Sequence, residues 1–68
     1  MEFFLRDKSW GEALMRAAGF PAALKLACDL ARELGREINV YTYAVEWAAT
    51  AYPDRDPRIT GDPRVLNS

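Results

Sequence analysis

Residues Val40–Tyr52 read VYTYAVEWAATAY and carry one charged side chain at neutral pH, Glu46. Placed on a helix, this segment is apolar around most of its circumference, with a narrow polar stripe formed by Thr42, Glu46 and Thr50. A helix of that kind has to be buried on most of its sides. The rest of a 68-residue chain can cover only part of it. The segment therefore predicts a helix whose remaining apolar surface is covered by a partner.

Length and composition restrict the chain to one small domain. A domain of 68 residues buries only about 60% of the surface that its unfolded chain exposes, so its stability is expected to be marginal without a staple or a partner. The single cysteine, Cys28, excludes an intramolecular disulfide, and the absence of histidine excludes a Cys/His zinc site. We predict that the chain uses no metal and no cofactor.

The charge balance argues against several classes of partner. Nine basic and ten acidic residues give a net charge of −1, which lacks the basic excess typical of nucleic-acid-binding proteins. No apolar run approaches the roughly 18 residues that indicate a membrane span. The charged N-terminal residues do not resemble a signal peptide. We expect a soluble, cytoplasmic protein with neither a nucleic-acid nor a membrane partner.

Capping residues predict two further helices before residue 40. Ser9 and Glu12 have the spacing of a capping box, and Gly19 suits the left-handed position that follows a helix. Pro21 suits the first turn of a second helix, which we expect to run through Leu34 and to end at Gly35. This second segment shows the apolar stripe and the charged outer side of an amphipathic helix.

The two ends of the chain have different compositions. The apolar residues near the N-terminus, Phe3–Leu5, predict an arm that either plugs the core or exchanges with a second subunit. The tail repeats one unit, as Asp56-Pro57-Arg58-Ile59 and Asp62-Pro63-Arg64-Val65. Asp-Pro pairs favour turns. The tail is expected either to wrap around the helices or to dock on another protein.

The sequence therefore predicts an all-α fold. The domain is a three-helix bundle over residues 1–52 with an apolar N-terminal arm, and an extended, proline-rich tail occupies residues 53–68. The helices are expected near residues 9–19, 21–35 and 40–52.

The inventory of reactive side chains argues against an enzyme. There is no histidine to act as a base, and neither Ser9 nor Ser68 has a neighbouring activator in the sequence. No glycine-rich phosphate loop and no paired-cysteine motif is present. We predict no catalytic residues.

One DNA-binding interpretation also has to be weighed. Residues Leu30–Gly35, followed by Ile38, Val45 and Trp47, loosely resemble a helix-turn-helix, which would imply a transcriptional regulator. The segment that would be the recognition helix, Val40–Tyr52, contains no arginine, lysine, asparagine or glutamine to read base edges. This interpretation is the weaker alternative.

Protein binding fits the composition better. Tryptophan, tyrosine and arginine dominate interface hot spots, and the chain is well supplied with all of them. We predict a non-catalytic interaction module, a small regulator or stoichiometric inhibitor of the size and class of phage-borne inhibitors and antitoxins. An accessory subunit of an enzyme complex is the other alternative. The partner is another protein or a second copy that dimerises through helix 40–52. The predicted partner-binding residues are Tyr43, Glu46, Tyr52, Arg55, Arg58, Ile59, Arg64 and Val65.

Overall fold

The protein is mostly sheet. The computed structural model describes residues 2–7 and 13–66, without the side chains at positions 13, 14, 63 and 65. Within these residues, five strands form one antiparallel sheet in the order β2-β1-β3-β4-β5, and one long helix packs on a single face of it. The elements are β1 (Glu2–Asp7), β2 (Ala13–Ala18), α1 (Phe20–Leu34), β3 (Ile38–Thr42), β4 (Trp47–Ala51), β5 (Arg58–Ile59) and the short α2 (Pro63–Leu66).

The segment Val40–Tyr52 lies largely in two strands, and the predicted all-α three-helix bundle is therefore wrong. β3 and β4 pair with Val40 opposite Ala49 and with Ile38 opposite Ala51. Buried and half-buried positions alternate along β3, as they do in a strand with one face on the core. Valine, threonine, tyrosine and tryptophan favour strands because branched and aromatic side chains pack well on a pleated surface. Here that preference outweighs the helix propensity of the alanines.

Two functional predictions depended on a helix over residues 40–52. The helix-turn-helix motif is not formed, because its recognition helix is replaced by β3, a turn and β4. The homodimer through that helix also loses its basis. Both strands lie inside the sheet, where β3 pairs with β1 and β4, and β4 pairs with β3 and β5.

The N-terminal predictions need the same correction. Residues Ala13–Ala18 form β2 and not the second half of a helix over 9–19, whereas residues 9–12, including the predicted capping box, lie outside the described residues. The apolar arm is β1, which lies between β2 and β3 in the sheet. Because β1 has a neighbouring strand on both sides, its apolar residues Phe3 and Leu5 are buried near the centre of the fold.

The second predicted helix is confirmed. α1 spans Phe20–Leu34, with proline in its first turn. Gly35 follows it in the left-handed conformation at φ 66°, and the Gly35 N–H donates to the Ala31 carbonyl. Glycine adopts this conformation without the steric conflict that a Cβ introduces, so Gly35 ends the helix as predicted.

The core lies between α1 and one face of the sheet. The helix contributes small side chains at four-residue spacing, Ala23, Ala27 and Ala31, all fully buried. These small side chains let the helix axis approach the strands closely. The larger Phe3 and Phe20 rings pack on each other, with 5.5 Å between their centroids. The fully buried large side chains are Phe3, Leu5, Ile38 and Val40. Within the described residues, no helix is long and apolar enough to cross a membrane.

The chain after β4 returns to the sheet. β5 pairs with β4, and the N–H groups of Thr60 and Gly61 both donate to the Ala48 carbonyl at 2.9 Å. Leu66, on α2, is buried with the core residues. These contacts bring the backbone at Gly61 close to that of β4.

Replacing Gly61 with alanine is expected to destabilise the protein by about 1–3 kcal/mol, because the added methyl group overpacks a tight site. A Cβ at this position would lie 3.2 Å from the Ala48 Cα and 3.1 Å from a Leu66 methyl carbon. The Ala48 backbone belongs to a central strand and cannot easily move. Chemical denaturation measures the effect, and an unchanged midpoint would contradict this packing.

Candidate functional site

The side of the sheet opposite α1, which we call the uncovered face, carries the side chains that alternate with the core positions. In β1, Phe3, Leu5 and Asp7 are buried, whereas Phe4 and Arg6 are only half-buried. The same alternation places Asn39 and Tyr41 of β3 beside them, and an irregularity at Ala48 brings both Trp47 and Thr50 of β4 to this face. The strand register then decides which of these side chains are neighbours.

Three rings lie side by side across the central strands. Phe4 of β1 is opposite Tyr41 of β3, and Tyr41 is opposite Trp47 of β4. We call these three residues the aromatic row. Adjacent strands are about 4.8 Å apart, so neighbouring rings of the row lie within contact range of one partner. Arg16 of β2 is opposite Phe4 and continues the row to the sheet edge.

A second set of side chains, the polar row, runs parallel to the first. Its members are opposite one another in β1, β3, β4 and β5, and they are Arg6, Asn39, Thr50 and Arg58. The Thr50 hydroxyl donates to Asn39 Oδ1 at 2.7 Å and accepts a hydrogen bond from Trp47 Nε1 at 2.9 Å. The Asn39 amide in turn donates to the Tyr41 hydroxyl at 3.3 Å. These bonds hold the two rows in a fixed relation.

Arginines of the polar row stack on rings of the aromatic row. The Arg6 guanidinium lies 5.6 Å from the Tyr41 ring centroid, and that of Arg58 lies 5.9 Å from the Trp47 ring. Such cation–π contacts are worth about 0.5–1 kcal/mol at exposed sites, and they help to orient these long side chains. The uncovered face therefore presents aligned rings with ordered guanidinium groups beside them.

The two rows border a groove of about 430 Å³. Its lining combines ring surfaces, a guanidinium, a carboxylate, an amide and hydroxyl groups, contributed by Glu37, Asn39, Tyr41, Trp47, Thr50, Tyr52 and Arg58. These groups can stack on a partner and exchange hydrogen bonds with it. The groove thus has the chemistry of a binding surface.

The turn between β3 and β4 extends the aromatic row at one end. The Tyr43 ring, 73% exposed, lies 6.5 Å from the Phe4 ring. Val45 is 64% exposed and has a φ of 63°. A left-handed conformation is a steric outlier for a β-branched residue, and such strain often marks functional sites. An exposed, strained valine contributes nothing to the core, and its aliphatic side chain is accessible to a partner.

Replacing Val45 with glycine is expected to stabilise the protein by about 0.5–1 kcal/mol, because glycine adopts positive φ without steric conflict. The turn itself is kept, since the Val45 N–H donates to the Thr42 carbonyl and the Glu46 N–H donates to the Thr42 hydroxyl, and neither bond uses the Val45 side chain. The matched control is Ala44→Gly at the preceding position, where φ is not positive and glycine is expected to destabilise. Equal effects of the two substitutions in thermal melts would contradict the strain.

The predicted partner-binding residues are dispersed over the surface. Tyr43 and Glu46 are exposed in the β3–β4 turn, and Arg58 lies on the uncovered face. Tyr52 is half-buried beside that face, with the Arg55 guanidinium 4.7 Å from its ring centroid.

The remaining predicted residues belong to the last part of the chain. Ile59 is exposed on β5 opposite Ala49, which is a core position, so it does not join the rows. Arg64 is exposed on α2, where its N–H donates to Asp62 Oδ1. The Val65 side chain lies outside the described part of the structure.

Sequence reasoning missed the centre of the site. Phe4 was assigned to the N-terminal arm, and neither Tyr41 nor Trp47 was among the predicted partner-binding residues. The signal that could have found Tyr41 is in Ile38–Thr42, where the apolar Ile38 and Val40 alternate with Asn39 and Tyr41. A period of two there places Tyr41 on the side opposite the core, whereas Phe3–Asp7 and Trp47–Ala51 show no such alternation.

A second depression, of about 500 Å³, lies where α1 leads into β3. Its buried carboxylate, Asp7, accepts a hydrogen bond from Arg36 Nη1 at 3.1 Å, and the side chain of Arg36 is half-exposed. Arg55 pairs with Asp54 at its rim. The bond between Asp7 and Arg36 ties the end of β1 to the segment just before β3. We therefore interpret the depression as structural.

The remaining reactive groups do not form a site. Burial raises the pKa of the Cys28 thiol, opposed by Arg32 and reinforced by Asp29 and Asp56, so the thiol stays protonated at neutral pH. In the part of the chain that the structure describes, no three His, Cys, Asp or Glu residues are grouped to hold a metal ion. Comparisons with protein-family models, curated proteins and solved structures found no match to this chain.

Proposed function

We propose that this chain is a non-catalytic protein-binding module that acts as a small regulator or stoichiometric inhibitor of a larger protein. The observation that supports the proposal is the aromatic row on the uncovered face, where Phe4, Tyr41 and Trp47 are aligned across three strands. Rings at these positions add nothing to the core beneath α1. They are available to bury area against another molecule.

The rows have the composition of an interface. Aromatic residues and arginine are enriched at protein interfaces, and a few of them provide most of the binding energy. Trp47 is 45% exposed, and Arg58 stacks on it without an ion pair among the described residues. Tyrosine and tryptophan have few rotatable bonds, so fixing them on binding costs little entropy. The hydrogen bonds through Thr50 already hold part of this surface in place.

A protein fits this surface better than a single-stranded nucleic acid, although bases also stack on rings. Phosphate groups need an excess of basic residues, and the chain has a net charge of −1. Glu37 lines the groove itself, and Glu46 is exposed next to Trp47. The exposed aliphatic side chain of Val45 suits an apolar protein contact and offers nothing to a phosphate or a base.

The test is capture from extracts of the native host on immobilised protein, followed by binding measurements with the purified candidate. Three baits are compared: the wild type, Tyr41→Ala, and the control Leu34→Ala, whose side chain is 48% exposed at the end of α1. The expected result is a protein that the wild type and the control bind equally, and that Tyr41→Ala binds at least tenfold more weakly. Circular dichroism checks that the variants are folded.

Two outcomes would overturn the proposal. The first is a protein partner bound equally by Tyr41→Ala and the wild type, which would place the interface elsewhere. The second is binding of labelled oligo(dT) or oligo(U) at low micromolar concentration that Tyr41→Ala abolishes. That result would assign the same rings to a single-stranded nucleic acid.

A further inference from the structure

The two edges of the sheet are protected to different degrees. β5 consists of two residues and is preceded by Pro57, which lacks an N–H to donate. β2 has six residues, ALMRAA, with no proline and one charge, and no strand in the described part of the chain lies beside its outer side. Natural proteins usually protect an edge strand with charges, prolines, bulges or short length. β2 has two of these features, the single charge of Arg16 and an irregularity in its pairing with β1 near position 14.

We propose that β2 pairs antiparallel with β2 of a second copy of this chain, so that one sheet continues across a two-fold dimer. A two-fold axis brings the same strand of both copies together in antiparallel orientation, which is the pairing that an isologous interface requires. The regular part of the strand, Met15–Ala18, lies beyond the irregularity. Side chains on a strand point out of the sheet plane, so the outer backbone groups of β2 can pair with a second strand at the usual spacing of about 4.8 Å.

Charge selects the register of this pairing. When the two-fold axis is perpendicular to the sheet, one residue of β2 lies opposite the same residue of the other copy. Arg16 at that position would oppose Arg16 across the axis, and like charges directly opposite one another are destabilising. With Met15 on the axis, the pairing would run through the irregularity. Ala17 on the axis avoids both problems and places each Arg16 opposite Ala18 of the other copy.

This arrangement has a consequence for the uncovered face. A perpendicular two-fold axis keeps both α1 helices on one side of the extended sheet and both uncovered faces on the other. Arg16 and the aromatic row of one copy would therefore continue toward those of the second copy. The dimer would present two equivalent binding surfaces side by side. The pairing between copies depends on β2 and does not require the proposed protein partner.

Substitutions at Ala18 test the register, because this residue is exposed and lies opposite Glu2 of its own β1. Sedimentation velocity or light scattering over a concentration series gives the dimer dissociation constant. In the dimer, each lysine of Ala18→Lys would lie opposite Arg16 of the other copy, which gives two pairs of like charges. The dissociation constant is therefore expected to rise about fivefold. Ala18→Glu would face the same arginines and is expected to lower it by a similar factor. Within the monomer the signs are reversed, because Glu2 is the charge directly opposite Ala18 and attracts lysine but repels glutamate. Arg16 of the same strand, whose Nη1 lies 4.0 Å from Glu2 Oε2, reduces the size of both effects.

Because the effects on folding and on dimerisation have opposite signs, thermal melts of the same samples separate them. A wild-type chain that stays at the monomer mass of 7.7 kDa up to millimolar concentration would overturn the proposal. A dimer whose dissociation constant does not respond oppositely to Ala18→Lys and Ala18→Glu would also overturn it. If Tyr41→Ala abolishes the dimer instead, the contact between copies lies on the uncovered face, and the edge pairing is wrong.

Discussion

Replacing Phe3 with alanine is expected to leave the protein largely unfolded at 25 °C. Phe3 is 1% exposed, lies on β1, an interior strand of the sheet, and packs on the Phe20 ring. Truncating a buried phenylalanine typically costs about 3–5 kcal/mol, because the transfer free energy is lost and a cavity remains. A core of this size rarely supplies more than about 3–5 kcal/mol of net stability. The measurement is urea denaturation followed by circular dichroism.

The matched control is Phe4→Ala, one residue further along the same strand. Phe4 is half-buried and points to the uncovered face, so its truncation is expected to cost about 1 kcal/mol, well below the cost at Phe3. In a helical turn or a loose arm the two neighbours would not differ so sharply. Equal losses at both positions would contradict the placement of β1 in the interior of the sheet.

The helix α1 could be predicted because its signals agree with each other. Pro21, the apolar stripe and Gly35 all indicate the same boundaries, and the structure has the helix at Phe20–Leu34. In Val40–Tyr52 the signals disagree. Alanine favours a helix, whereas valine, threonine and the aromatic residues favour strands. A segment that is apolar on all sides fits both a buried helix and two strands, and only packing against β1 and α1 resolves the conflict.

The candidate site was harder to predict, because it is assembled by register. Tyr43 and Arg58 could be proposed from the sequence because tyrosine and arginine are frequent in interface hot spots. Phe4, Tyr41 and Trp47 come from three strands, and only the pairing of those strands makes them neighbours. No local pattern contains that pairing. The period-two alternation in Ile38–Thr42 gives the side on which Tyr41 lies, but not which rings are adjacent to it.

Replacing Trp47 with alanine is expected to weaken binding of the proposed protein partner about 30- to 1,000-fold, the range for a central aromatic hot spot. The substitution removes the exposed ring and its stacking with Arg58. It also removes the indole N–H that donates to the Ala49 carbonyl and the Thr50 hydroxyl. The Thr50–Asn39 bond then loses its fixed neighbour, so the groove wall becomes less ordered. Isothermal titration calorimetry with the purified partner measures the loss.

Trp47→Phe separates the ring from its hydrogen bonds. Phenylalanine keeps an aromatic side chain opposite Tyr41 but cannot donate to Thr50, so its affinity is expected to lie between those of the wild type and Trp47→Ala. Leu34→Ala, remote from the rows, is expected to bind within about twofold of the wild type. If Trp47→Phe binds as weakly as Trp47→Ala while remaining folded, the hydrogen bonds and not the ring determine recognition. If Trp47→Ala binds with wild-type affinity, the aromatic row is not the contact surface, because its most exposed central ring would then be dispensable.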